Sequence, residues 1–87
     1  MYTAIYDRDW PAYFNCLDNE TRNRVIKKIE KLLEYPYKRH LRGKAKYFVD
    51  EVGQYRIAYD VFENAKEVHF YFVGKHKDYE KFYNDFS

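Results

Sequence analysis

Five side chains able to hold a phosphate backbone sit at alternating positions in the second half of this sequence: Lys46, Phe48, Arg56, His69 and Tyr71. Cations neutralise phosphate and aromatic rings stack on bases, so this set on one face of a sheet would cradle a nucleic acid. Sharing a face requires paired strands, and the intervening residues supply them. Tyr47, Val49 and Glu51 alternate with Phe48, Asp50 and Val52; Gly53-Gln54 offers a turn; Tyr55 to Phe62 continues with Ile57, Tyr59 and Val61. Matching apolar positions sets Val49 opposite Ile57 and Tyr47 opposite Tyr59. That register places Asp50 against Arg56 and Lys46 against Asp60, each opposite-charge pair worth about 0.2–1 kcal/mol. A one-residue slip would turn a whole strand over. The second turn, Glu63 to Lys66, has Asn64 at its first central position, where positive φ is tolerated. Closing there sets Val61 opposite Val68, Tyr59 opposite Phe70 and Ile57 opposite Phe72. The expected product is a meander with one dry face and one open face. Three rows would cross the open face: Lys46-Asp60-His69, Phe48-Ala58-Tyr71 and Asp50-Arg56-Val73.

The first half must cover the dry face. Tyr2 to Tyr6 reads as a short strand. Asp9 and Pro11 start a helix, since proline is tolerated where its missing N–H is not needed, and Trp10, Tyr13, Phe14 and Leu17 form one apolar stripe. Asp18-Asn19 starts a longer helix with Val25, Ile26, Ile29, Leu32 and Leu33 in a stripe, and Pro36 stops it. The two helices form a hairpin. The spacing of Tyr79, Phe82, Tyr83 and Phe86 predicts a short terminal helix or turn over one end of the sheet. The expected fold is α+β, a two-layer sandwich in the order βααβββ, with an antiparallel sheet packed on a helical hairpin.

At 87 residues the chain is one domain, residues 1–87, and its 11 tyrosines and 22% aromatic content let so short a chain bury a core. No apolar run approaches a membrane span, and the N-terminus MYTAIYDRDW lacks a signal-peptide pattern. Cys16 is alone, which fits a reducing compartment, and the few soft ligands are not closely spaced, so no metal is expected. These point to the cytoplasm, with no cofactor. Net charge is +2, but six of the nine residues from Lys38 to Lys46 are Lys, Arg or His, Arg42 and Lys44 among them. That cluster is a candidate RNA contact; the basic residues of the long helix read as a solvated face.

Leu41-Arg42-Gly43 ahead of the meander, G-x-Y-R-I-x-Y from Gly53 to Tyr59, and V-G-K-H-K-D-Y from Val73 to Tyr79 resemble the RelE/ParE toxin superfamily. The resemblance covers nearly the whole layout. It implies the toxin of a type II toxin–antitoxin system, neutralised by a cognate antitoxin: a metal-independent endoribonuclease (mRNA interferase) that cleaves mRNA on the ribosome and inhibits translation. The alternatives are a ParE-like inhibitor of DNA gyrase, or a degenerate member that only binds antitoxin or RNA. In the RelE-like case Arg56 would clamp phosphate and Lys75 and Lys77 would add charge. His76 would act as general acid or base, since histidine ordinarily titrates near 6.5. Tyr79 or Tyr83 would stack a base. Two lysines of RelE-like members, on the first meander strand, would be replaced here by Phe48 and Asp50, with Lys44 and Lys46 upstream and Phe48 and Tyr71 as a stacking surface. Each residue also has a structural reading: Arg56 as partner of Asp50, His76 as a strand cap, His69-Asp60 as a surface pair, Tyr79 and Tyr83 as packing.

Overall fold

The structure, a computed structural model, describes residues 1–36 and 47–86. The chain runs β1 (Thr3–Tyr6), α1 (Trp10–Asn15), α2 (Asn19–Glu34), β2 (Phe48–Val52), β3 (Tyr55–Phe62), β4 (Glu67–Lys75) and α3 (His76–Phe86). This is the expected α+β order, and the expected terminal helix or turn is the helix α3. The four strands form one sheet in the order β1-β4-β3-β2; the meander is antiparallel and β1 joins β4 in parallel.

The helix starts and stops lie where the sequence signals them. Pro11 occupies the first turn of α1. The Asp18 carboxylate accepts the Thr21 N–H at 2.9 Å, capping α2, and that hydrogen bond holds its carboxyl below the usual range. From the helices, Trp10, Leu17, Val25, Ile29 and Leu32 meet Val52, Ile57, Tyr59, Val68, Phe70 and Val73 of the sheet. Ile26, expected in the same stripe, lies on its flank and is exposed.

The β2–β3 register differs from the expected one by one residue. Val52 faces Tyr55, Phe48 faces Tyr59, Asp50 faces Ile57 and Glu51 faces Arg56. The turn dictates this: Gly53 adopts φ 59°, which a two-residue hairpin with glycine first requires, and such a turn must close on Val52 and Tyr55. Alternation could not decide, because both β2 faces are apolar. Phe48 and Val52 turn toward the helices with Asp50, while Tyr47, Val49 and Glu51 turn the other way. Asp50 is thus not the cross-strand partner of Arg56. It is buried, 3.5 Å from Lys28 Nζ on α2, and accepts the Glu51 N–H at 2.8 Å.

The β3–β4 pairs Val61–Val68, Asp60–His69 and Tyr59–Phe70 stand as expected. A bulge then intervenes, so Ala58 faces Phe72 and Ile57 faces Val73. Phe72 consequently leaves the helix-hairpin face and Val73 replaces it. In the second turn the positive φ falls on Lys66 (57°) rather than Asn64, where the Lys66 N–H donates to Glu63 O at 3.1 Å.

The expected open face is partly covered. α3 lies over it, and Tyr79, Phe82 and Tyr83 pack with Tyr47, Val49, Ala58 and Phe72 in a second apolar cluster. Among the described residues no helix is long and apolar enough to cross a membrane.

Candidate active site

The second face is organised around Arg56. Its cross-strand partner on β4 is Gly74, and the next three residues are Lys75, His76 and Lys77. The strand-to-helix corner therefore brings an arginine, two exposed lysines and an exposed histidine to one end of the sheet. Gly74 is required here: a Cβ would lie 2.7 Å from Cζ of Phe72. That ring lies across the glycine, stacked on Phe82 at 4.8 Å and edge-on to Tyr13 at 4.8 Å.

Arg56 is held from two sides. Its guanidinium lies 5.0 Å from the centre of the Tyr79 ring, a cation–π contact. Its Nε is 3.7 Å from a Glu51 carboxylate oxygen, buried and without a hydrogen bond. The arginine side chain is 21% exposed, so its charge reaches the surface at the edge of α3 rather than lying open. Tyr79 is itself buried, with its hydroxyl 3.3 Å from that of Tyr47. Burial pushes the Tyr79 hydroxyl above its ordinary pKa despite the Tyr47 hydrogen bond and the Arg56 charge. Burial raises Tyr47 further, with Tyr79 adding to it. Both stay neutral hydrogen-bonding groups at physiological pH.

His76 opens α3 and its Nε2 is 3.9 Å from Glu80, one turn along. At 61% exposed it is neither buried in the sheet nor capping a strand. Tyr83 is half-buried, its ring centre 6.2 Å from that of Tyr79. A protein group can therefore deliver or remove a proton at this corner beside clustered positive charge, which is what transfer at a phosphate needs.

The other expected contacts are distributed differently. Phe48 packs beside Tyr59, ring centres 5.6 Å apart, in the helix-hairpin core, so it forms no stacking surface with Tyr71 across Ala58. Tyr71 is half-buried at the rim of the second cluster, and burial raises its hydroxyl pKa, with Asp60 and Asp7 adding to it. His69 binds Glu67 at 2.9 Å, at the far end of the same face. Arg42, Lys44 and Lys46 lie outside the described residues. Glu51, Tyr47 and Glu80, which stand beside Arg56, Tyr79 and His76, were missed; counting back from a two-residue turn is the signal that finds Glu51 opposite Arg56.

No protein-family model and no curated protein matches the sequence. Solved structures do match. The intact E. coli RelBE toxin–antitoxin complex aligns with TM-score 0.78 and 25% identity over 86% of this chain and 96% of that one. The fold of this chain is RelE-like. The isolated E. coli RelE toxin matches the RelE-like chain over 100% of both, with TM-score 0.77 and 22% identity. The RelBE2 toxin–antitoxin complex of Mycobacterium tuberculosis matches with TM-score 0.78 and 20% identity, over 86% of this chain and 91% of that one. In this RelE-like chain Phe48 and Asp50, expected to replace the family's strand lysines, face away from Arg56. On its side stand Val49 and Glu51 of β2 and Tyr47 just before that strand, none of them cationic.

Proposed function

We propose that this chain is the toxin of a toxin–antitoxin pair, a cytoplasmic, metal-independent endoribonuclease that cleaves mRNA on the ribosome. The observation that carries the reading is the β4–α3 corner, where Lys75, His76 and Lys77 follow the glycine that pairs with Arg56. In such a reaction the ribose 2′-oxygen loses its proton and bonds to the adjacent phosphorus. The bond to the 5′-oxygen breaks, leaving a 2′,3′-cyclic phosphate, and the departing oxygen takes up a proton. His76 moves a proton in this step, with the Glu80 carboxylate 3.9 Å away. Arg56, Lys75 and Lys77 offset the charge that builds on the phosphorane. A cognate antitoxin, as in the two similar complexes, keeps the activity in check.

One observation favours a second reading. With Tyr47 and Val49 where cations would help most, and Glu51 against Arg56, the face suits a family member that binds RNA or antitoxin without cutting. Expression without a partner separates the readings. The nuclease reading expects growth arrest, translation stopped within minutes, new 5′ ends in mRNA and unchanged plasmid supercoiling. Altered supercoiling with translation initially spared would mean gyrase inhibition instead. Unimpeded growth with intact mRNA would leave only the non-cutting binder.

A further inference from the structure

The pairing of β1 with β4 ends at Tyr6–Phe70, so among the described residues Tyr71 to Lys75 of β4 carry no strand on that side. α1 flanks this stretch on one side and α3 on the other, and between them opens a cleft of about 700 Å³. That is the size of a small-molecule site, roughly 300–1,000 Å³. The sequence makes the space. Ala12 on α1 and Cys16, the residue that caps its end, are small and line one wall, and Gly74 keeps the floor low. The aromatic side includes Tyr13, Phe72 and Phe82, with Tyr13 and Phe82 half-buried and both packed against the Phe72 ring.

We propose that this cleft is an RNA subsite that takes the base and phosphate of the nucleotide next to the cleaved linkage. The inference rests on the RNA reading given above. Three features select a nucleotide. Four aromatic residues, Tyr13, Tyr55, Phe72 and Phe82, stand in the lining, and a ring stacks on any base regardless of sequence. Two lysines, Lys75 and Lys81, stand in the lining against one carboxylate, Asp78, all three exposed. The phosphate goes to the lysines, and Asp78, three residues before Lys81, accepts an N–H from a base edge. Finally, the cleft is continuous with the active corner: Lys75 lines it and adjoins Gly74, the residue paired with Arg56. A strand of RNA held at Arg56 and His76 reaches the cleft within one nucleotide.

Cys16, the sole cysteine and exposed in the wall, reports occupancy without reference to cleavage. The probe is a short single-stranded oligoribonucleotide made uncleavable by 2′-deoxy substitution. Its binding is followed by fluorescence anisotropy, and Cys16 reactivity by a chromogenic disulfide reagent. Saturating oligonucleotide should slow the Cys16 reaction by about tenfold or more, because thiol reactivity follows access. Lys81→Glu should weaken binding and lower the salt-dependence slope by about one, with an unchanged melting temperature. Oligonucleotide that binds while Cys16 reacts at its free rate, with Lys81→Glu binding like wild type, would overturn the subsite and leave the RNA reading standing. No binding by anisotropy would overturn the subsite, while cleavage of ribosome-bound mRNA tests the RNA reading separately. Protection by an acidic extended peptide but not by RNA would overturn the nucleotide assignment and give the free β4 edge to a protein strand.

Discussion

The two faces of the sheet are built by different rules. The face under α1 and α2 is aliphatic and aromatic, closed by Val25, Ile29 and Leu32 against Ile57, Tyr59, Val68 and Phe70, with several of these fully buried. Asp50, the buried charge among the described residues, is matched by Lys28. The face under α3 is almost wholly aromatic and carries an incompletely satisfied arginine, with two tyrosine hydroxyls bonded to each other beneath the helix. The first face specifies the fold; the second puts polar and charged groups where a packed core would not keep them. Partly satisfied polar groups weaken a core, and they are retained where chemistry or binding uses them.

Mutations sharpen that division. The largest effect belongs to the closed face. Phe70 is fully buried between Tyr59 and Trp10, so Phe70→Ala should cost about 3–5 kcal/mol in denaturant unfolding. A loss under 1 kcal/mol would mean that this face is not the main core. On the second face, Gly74→Ala drives a methyl into the Phe72 ring at 2.7 Å. Overpacking of that kind costs about 1–3 kcal/mol, and near-ultraviolet circular dichroism should show the Phe72–Phe82 stack disturbed.

Alkaline pH probes the tyrosine pair. Tyr47 and Tyr79 have folded pKa values raised above the unfolded value, mainly by burial, so the stability they lend is fully present below about pH 10 and is lost as pH rises past it. Tyr47→Phe should flatten the fall in melting temperature above about pH 10. A fall as steep as wild type would place the sensitive tyrosine in the other face, where Tyr59 is raised by burial and by Asp50. The smallest effect is electrostatic. Glu51→Gln removes the carboxylate beside Arg56, and RNA binding should tighten with a salt slope steeper by about one phosphate. An unchanged slope would mean that Arg56 does not reach the RNA.

Much of this fold can be read from local chemistry. Pro11, the Asp18 cap and Pro36 bound the two helices because each acts on its own few bonds. The β2 register is harder, since Tyr47 and Val49 are as apolar as Phe48 and Val52 and alternation carries no sign when both faces are covered. The turn decides it, through Gly53. The bulge near Tyr71 leaves no mark in the sequence, yet it sends Phe72 to one face and Val73 to the other. The spacing of Tyr79, Phe82 and Tyr83 marks a terminal helix or turn over one end of the sheet, without showing that it covers the face of Tyr47, Val49 and Phe72. Arg56, Lys75, His76 and Lys77 were visible as candidates; that Glu51, rather than Asp50, stands against Arg56 depends on a single residue of register.

Cleavage at the strand-to-helix corner is the central claim, and His76 tests it most directly. The side chain is exposed and its contact with Glu80 is long, so His76→Ala should change the thermal unfolding free energy within about ±0.5 kcal/mol. Single-turnover cleavage of ribosome-bound mRNA should slow by about 10²–10⁴-fold, the usual range for a lost general acid or base. Binding should fall far less, because Arg56, Lys75 and Lys77 remain. Equal cleavage rates for wild type and variant would contradict the account, and a collapsed thermal midpoint would make the histidine a structural residue.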